Sequence, residues 1–388
     1  MTIQAATRPR ASVHDKAVAA EMRLFGSWTS RIAALLFVIA IVVVPLSTNS
    51  PFVVTLGITI GIYAIGAVGL NVLSGYAGQI SLGHSFFVGV GAYTAVGLGS
   101  KLGLPMPVWL LGAAVVGGIF GLVVGPFALR LRGIYQIVLT LGLVYIGHYL
   151  FVNWRSLTGG NGGTAADVPL AIGGLDFAGL TTGFVNFSYE QGLFIVVWLT
   201  LAATLLLVNN VVRSRSGRAT RAVRDGELAA GIAGINAIRV KVGAFGIAGA
   251  LGGLAGGLLV AQLRYVVPDQ FNLHMALQFI TIIIVGGVGT IWGPVIGAAI
   301  VCSIPQITGL LGPAIPFLKD DFAAPGDWGI KVGEFNLILY GLILVVFLLV
   351  EPRGVAHLLR RARVGITVRW RSFREYSRTS DGGGSAVK

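Results

Sequence analysis

The sequence predicts an all-α polytopic membrane protein with about 8 full spans plus a broken, glycine-rich hairpin, 8–10 transmembrane helices in all. Three observations carry this. Of 388 residues, 55% are hydrophobic and only 11% charged, against about 25% charged in an ordinary soluble domain. Several stretches run 15 to 25 residues without a charge, enough to cross roughly 30 Å of hydrocarbon at about 1.5 Å per residue. The charges that remain fall into blocks between those stretches, which is how a chain writes sidedness.

Residues 1–31 are polar and basic and lead into the first apolar run without an Ala-x-Ala cleavage site, so they read as the cytoplasmic tail of an uncleaved signal-anchor. Residues 32–350 form the transmembrane domain. Its charge-free runs place spans near Ile32 to Leu46, Phe52 to Leu73, Ser85 to Gly99, Pro107 to Leu129 and Gly133 to Val152. Further spans fall near Gln191 to Val212, Val242 to Leu263 and Phe335 to Val350. The apolar stretch from Met275 to Ile304 is interrupted by Gly286-Gly287, Gly289 and Gly293-Pro294. It reads as two short helical pieces about a break, a hairpin that crosses twice or re-enters. Residues 351–388 form a basic tail, and the glycine-rich end from Asp381 is expected to be disordered.

With the N-terminus in the cytoplasm, residues 1–31, 130–132, 213–241 and the tail from Glu351 together hold 23 basic and 7 acidic residues. The opposite side holds Lys101, Arg155, Arg264, Lys319 and Lys331 against eight acids. Both termini are therefore expected in the cytoplasm, and the net charge of +13 reflects orientation rather than nucleic-acid binding. The lone Cys302 excludes disulfides, and five scattered histidines without a His-x-x-x-His pair give no metal motif. No catalytic constellation, metal site or cofactor is expected.

Glycine recurs every fourth residue at Gly117, Gly121 and Gly125, at Gly249, Gly253 and Gly257, and at Gly289, Gly293 and Gly297. Such small-residue stripes let helices approach closely in lipid, either within the chain or at a subunit interface. The segment from Gly69 to Phe87 is charge-free yet too polar and glycine-rich for a lipid-facing helix. Asn71, Ser74, Gly75, Gly78, Gln79, Ser81, Gly83 and His84 are its pathway candidates, on the reading that this is broken backbone beside a wet conduit. An ordinary polar loop between spans is the other reading, and His84 serves equally as a structural partner or a substrate contact. From Gly217 to Ala233, small residues at helical spacing face Arg218, Arg221, Arg224 and Asp225, an amphipathic helix in the cytoplasmic segment 213–241. Arg221 with Asp225 and Arg224 with Glu227 are spaced to pair. The segment is either a solvated basic loop or a docking helix for a cytoplasmic partner. The 38-residue loop from Asn153 to Glu190 is long enough to meet an extracytoplasmic protein. Gly-Lys occurs nowhere, so the chain has no Walker A motif and does not bind ATP by that route.

A set of motifs then runs in order from about residue 52 to 355: Gly69-Leu70-Asn71, Gly78-Gln79-Ile80-Ser81-Leu82-Gly83-His84, Gly89-Val90-Gly91-Ala92-Tyr93 and Leu129-Arg130-Leu131-Arg132-Gly133-Ile134-Tyr135. It continues with Thr158-Gly159-Gly160, Gly217-Arg218-Ala219 through Glu227 to Asn236, Pro268-Asp269, Gly286 to Pro294 and Glu351-Pro352-Arg353-Gly354. This combination resembles the M-type inner-membrane permease subunits of branched-chain amino acid ABC importers. The resemblance implies an importer in the bacterial inner membrane built from this chain, a homologous H-type permease, two cytoplasmic ATP-binding subunits and an extracytoplasmic substrate-binding protein. It also implies that Glu227 to Asn236, here Glu-Leu-Ala-Ala, is a variant of the Glu-Ala-Ala coupling motif of importer permeases. The coupling residues are then Arg218, Arg221, Arg224, Glu227, Ala229, Ala230, Gly234 and Asn236. Urea and short-amide importer permeases resemble the same family and stand as the alternative substrate class. An autonomous secondary transporter or channel would mark its path with intramembrane charges, and the spans hold none.

Overall fold

The computed structural model describes residues 50–131, 133–172, 188–311, 329–350 and 354–356, with the pairs 175–176, 181–182, 185–186 and 318–319. The chain separates into the units Met1–Pro51 and Phe52–Lys388, and the first is described only at Ser50 and Pro51. The expected span near Ile32 to Leu46, the N-terminal tail, much of the 305–334 loop and the tail beyond 356 lie outside the described residues.

Charge-free runs become helices because lipid offers backbone N–H and C=O groups no partner but one another. Helix α1 (Pro51–Asn71) runs into a wider π turn at Val72–Tyr76. It is followed by α2 (His84–Ala95), itself extended by a π turn at Val96–Lys101, then α3 (Met106–Leu129) and α4 (Ile134–Asn153). Beyond the loop come α5 (Tyr189–Arg213), α6 (Arg215–Asp225), α7 (Glu227–Ile232) and α8 (Ala237–Leu263). The last are α9 (Leu273–Gly286), α10 (Gly293–Leu311) and α11 (Val332–Val350). With its π turn, α1 is long and apolar enough to cross a membrane, as are α3, α4, α5 and α8, while α9, α10 and α11 hold shorter apolar helices. The expected hairpin is thus two helices about the break 287–292.

Helix starts follow their caps. Ser188 and Gln191 form a reciprocal capping box at the head of α5. Asn236 accepts from the Arg239 amide at 3.0 Å, so α8 begins at Ala237 rather than at the last charge before the apolar run, as the hydropathy reading placed it near Val242.

The packing centres on α8. A Cβ at Gly117 would lie under 3.0 Å from the Gly249 carbonyl oxygen, one at Gly121 equally close to that of Phe245, and one at Gly253 to that of Ala113. At Gly125 the nearest atom, Val242 Cα, is 3.2 Å away and the fit eases. The opposite side of α8 meets α2 in the same way, through Gly256 on the Val88 carbonyl and Gly91 on the Gly253 carbonyl. Two of the three glycine ladders therefore serve intrachain packing between α3 and α8. The third is no ladder: Gly289 lies in the break, Gly293 opens α10, and Gly297 meets the Ile282 carbonyl across the hairpin.

Side-chain hydrogen bonds tie the remaining helices on. Trp198 on α5 donates to the Gly57 carbonyl at 3.2 Å, and Gln262 on α8 donates to Thr59 Oγ1 at 2.7 Å. At one end of the helices, Lys101 donates to the Ser156 carbonyl, the Ala166 amide to the Arg264 carbonyl at 2.9 Å, and the Arg264 guanidinium lies 3.7 Å over the Tyr189 ring. Thr164–Ala165 pairs antiparallel with Tyr265–Val266 there.

A side chain at Gly253 has no space to enter because the obstruction is backbone, whereas nothing lies within 4 Å of a Cβ at Gly142 on α4. Gly253→Leu is expected to lower stability by about 1–3 kcal/mol or more, as overpacking does, and Gly142→Leu to leave it unchanged. Thermal melting of the two variants in detergent checks this; equal melting points would mean that the α3–α8 contact is not limiting.

Candidate functional site

The irregular stretch after α1 and the break after α9 form one structure. Asn71, buried at the end of α1, uses both arms of its amide: Nδ2 donates to the Thr290 carbonyl at 2.7 Å, and Oδ1 accepts from the Gly289 amide at 2.8 Å. Thr290 in turn closes its own turn, donating to the Gly287 carbonyl at 2.8 Å and accepting from the Gly293 amide at 3.1 Å. A Cβ at Gly75 would fall under 3.0 Å from both Asn71 Oδ1 and the Gly289 amide nitrogen, so the two breaks meet only because position 75 carries no side chain. The strand of backbone beyond is held by long-range turns, with the Ala77 amide on the Val72 carbonyl, the Gln79 amide on the Leu73 carbonyl and Ser74 Oγ donating to the Gln79 carbonyl. Gly78 takes φ +68°, a left-handed conformation that glycine accepts without strain.

Onto this joint comes Arg224 from α6. Its Nη1 donates to the Gly75 carbonyl, its side-chain carbons lie against Gly78, and the same Nη1 would be 3.2 Å from a Cβ at Gly289. Gly354, from the Glu351-Pro352-Arg353-Gly354 motif, also seats here, where a Cβ would be 2.5 Å from Gly287 Cα. Four separate sequence motifs thus converge on one spot.

The remaining pathway candidates have other partners. Gln79 is buried and donates to the Ala77 carbonyl at 3.3 Å; buried Ser81 accepts from the Gly83 amide at 3.2 Å. Leu82 donates through its amide to Thr140 Oγ1 at 3.0 Å, and Gly83 abuts the Thr140 carbonyl, which fixes the stretch on α4. The His84 ring is buried edge-on to Phe279 at 4.9 Å between centroids and borders Gly252 of α8. None of the eight lines the cavities described below.

The segment 213–241 differs from one continuous helix. Gly226, with φ −174° and ψ 100°, separates α6 from α7. The expected pairs Arg221 with Asp225 and Arg224 with Glu227 do not form: Arg221 Nη2 donates to the Val212 carbonyl at 3.3 Å, Arg224 goes to Gly75, and Glu227 pairs with Lys241 at 2.8 Å. Arg218 likewise donates to the Arg213 carbonyl at 3.1 Å. The reason is competition. An exposed i,i+4 pair is worth a few tenths of a kcal/mol, while the free carbonyls at the C-terminal end of α5 attract cations through both hydrogen bonding and the helix dipole. On α7, Ala230 is buried while Ala229 is exposed, and Leu228 and Ile232 are 87% and 90% exposed. Gly234, with φ +81° and nothing within 4 Å, turns the chain into Asn236 and α8. The result is an apolar ridge held out on a basic support.

Two adjoining cavities, which the sequence reading did not foresee, open toward the other end of α1. One, of about 340 Å³, lies between α1, α8, α9 and the turn Pro268–Phe271. The other, of about 330 Å³, lies between α1, α9, α10 and α11. Thr59, Tyr63, His274 and Gln278 border both. The signal was present as isolated polar residues in apolar runs, Gln262, Gln278 and Asn336, but six separate elements contribute and no local motif announces them. Among the described residues no group of three or more His, Cys, Asp or Glu side chains could hold a metal ion.

The family model for the permease component of branched-chain amino acid transport systems matches residues 52–348. Among curated relatives, the high-affinity branched-chain amino acid transport system permease protein LivM of Salmonella typhimurium is 28% identical over 343 residues, 84% of this chain and 75% of that protein. LivH of Escherichia coli is 28% identical over 257 residues, 63% of this chain and 81% of its own, and BraD of Pseudomonas aeruginosa 28% over 310 residues, 77% and 93%. No solved structure matches the chain. The family match spans both helix breaks, the segment α6–α7 and the helices that carry them, and this multi-pass membrane protein belongs to the branched-chain amino acid transport system permease family.

Proposed function

We propose that the chain is the M-type permease subunit of an ATP-driven importer in the bacterial inner membrane, supplying part of the pathway for leucine, isoleucine and valine. It performs no covalent chemistry; hydrolysis belongs to two cytoplasmic ATP-binding subunits, and an extracytoplasmic binding protein delivers the solute. A homologous H-type sister completes the pathway, and the similarity to LivH relatives supports such a pairing. The observation that carries the reading is the exposed ridge of Leu228 and Ile232 on a segment whose Arg224 donates to Gly75, where Asn71 ties the two helix breaks together. A partner that grips this ridge pulls on Arg224, and Arg224 holds the turns about which α1, α9 and α10 end or begin. The π turn Val72–Tyr76 and the glycine break 287–292 at these ends are places where a helix changes direction without exposing unpaired backbone.

Orientation follows from charge. The ridge and the Arg224 joint face the cytoplasm, and the end with Lys101, Asp167 and Arg264 faces outward. With Cys302 replaced, a cysteine engineered at Asp167 should react with an impermeant maleimide from outside, and one at Asp225 should react only after the membrane is opened. The reverse pattern would invert the topology.

Leu228→Asp combined with Ile232→Asp should remove the ATP-binding subunits from the purified complex and abolish leucine uptake, with the permease inserted in normal amount. Retained ATPase recovery would sink the docking assignment. Arg224→Met keeps the side-chain stem but deletes the donor to Gly75, so ATPase recovery is expected to persist while uptake falls at least fivefold. Wild-type uptake by that variant would show that the joint does not transmit movement.

A further inference from the structure

The paired cavity between α1, α8, α9, α10 and α11 carries amide and phenol groups where lipid-embedded helices rarely do. Amide and phenol groups buried among membrane spans face one another, a wet space or a ligand. Tyr63, Gln278, Asn336 and Tyr340 all face this space, and one of them is unspent. Asn336 is only 7% exposed, yet its Oδ1 has no hydrogen-bond partner among the described residues. Gln278 and Tyr340 are joined by a single long bond of 3.4 Å, which leaves further capacity on both. Pro305, inside α10, has no N–H, so the Val301 carbonyl one turn earlier loses its helical donor beside the same cavity.

The lining also says what does not belong there. Neither cavity is bordered by Lys, Arg or Glu. The one carboxylate, Asp269, stands at the rim with its side chain 89% exposed and 3.8 Å from His148. A solute of net charge would meet no counter-charge inside. Leu259, Leu263 and Met275 line the first cavity, and Cys302 and Pro305 the second, so an apolar surface adjoins the polar groups in each. Each volume is at the small end of the roughly 300–1,000 Å³ typical of ligand pockets.

We propose that this paired cavity is a holding site on the transport path for a compact solute with no net charge, a zwitterionic head beside an aliphatic tail. The amide and phenol groups around Asn336 take the head, and the aliphatic residues take the tail. The assignment rests on the importer reading above, and it places the solute station away from the 71–84 stretch.

The test uses the whole transporter, with its sister permease, ATP-binding subunits and binding protein, in proteoliposomes with labelled leucine. Asn336→Leu and Gln278→Leu should each lower leucine uptake at least tenfold, while ATP hydrolysis stimulated by the loaded binding protein stays within twofold of wild type. Asn336→Gln should restore at least a third of the uptake. Should the leucine variants fail to assemble, Tyr63→Phe with Tyr340→Phe decides, because it keeps both rings and removes only hydroxyls; it should lower uptake severalfold. Wild-type uptake by the assembled variants, or by the double phenylalanine variant, overturns the cavity assignment and leaves the importer reading standing. A wild-type complex that hydrolyses ATP but moves no leucine overturns the substrate reading instead.

Discussion

Apolar side chains gain little by leaving lipid for one another, so helices in a bilayer hold together where their backbones can approach. Here that approach is concentrated on α8. One side of it receives α3 along Gly249 and Gly253, and another receives α2 at Gly256, in each case a glycine against a carbonyl oxygen where a Cβ would not fit. Because backbone meets backbone, the separation and tilt of three helices are fixed with almost no rotamer freedom. Everything less regular in the chain hangs on this frame. The aromatic contact of Tyr93 with Phe151, at 4.9 Å between centroids, sets α4 beside α2, and Tyr189 reaches back to the Ala261 carbonyl at 2.8 Å to place α5.

Against this frame the irregular places are conspicuous, and they cluster. The end of α1, the gap between α9 and α10, Gly354 and the basic helix α6 meet at Asn71, Gly75, Gly289 and Arg224. Asn71 satisfies two backbone groups that the α9–α10 break leaves open, a donor and an acceptor that would otherwise cost about 1–3 kcal/mol each if buried alone. Arg224 satisfies a third at Gly75. The joint is therefore stabilised by polar contacts that can be exchanged, unlike the apolar and backbone contacts of α3 with α8.

Much of this was legible in the sequence, for a reason specific to membranes. A charge inside hydrocarbon is so unfavourable that span boundaries are written as charge positions, and the runs from Phe52, Pro107, Gly133 and Gln191 became α1, α3, α4 and α5 nearly as read. Gly286-Gly287 and Gly293-Pro294 likewise marked the hairpin break, the first closing α9 and the second opening α10. The partners of Arg221 and Arg224 were not legible. Sequence spacing offers only neighbours on the same helix, and the carbonyls of Val212 and Gly75 that won are brought there by the fold. The stretch around Gly78 was read as a single candidate conduit, whereas its residues divide between the Arg224 joint and the buried contacts with Thr140 and Phe279. The cavities were invisible because their lining residues come from five helices and the turn Pro268–Phe271, which no local motif joins.

The distance between joint and cavity gives the importer reading its mechanics. Tyr63 at the cavity and Asn71 at the joint lie on the same helix, eight residues apart, about 12 Å at 1.5 Å per residue. On α9, Gln278 borders the cavity and Gly286 closes the helix at the break; on α10, Gly293 opens the helix and Cys302 and Pro305 border the cavity. The same three helices therefore have one part held by Arg224's joint and another exposed to the cavity. A displacement applied at the ridge of Leu228 and Ile232 need not travel along a wire of side chains to be felt by a solute. On the importer reading it tilts these three helices about the joint, and their portions carrying Tyr63, Gln278 and Pro305 change the shape of the cavity directly.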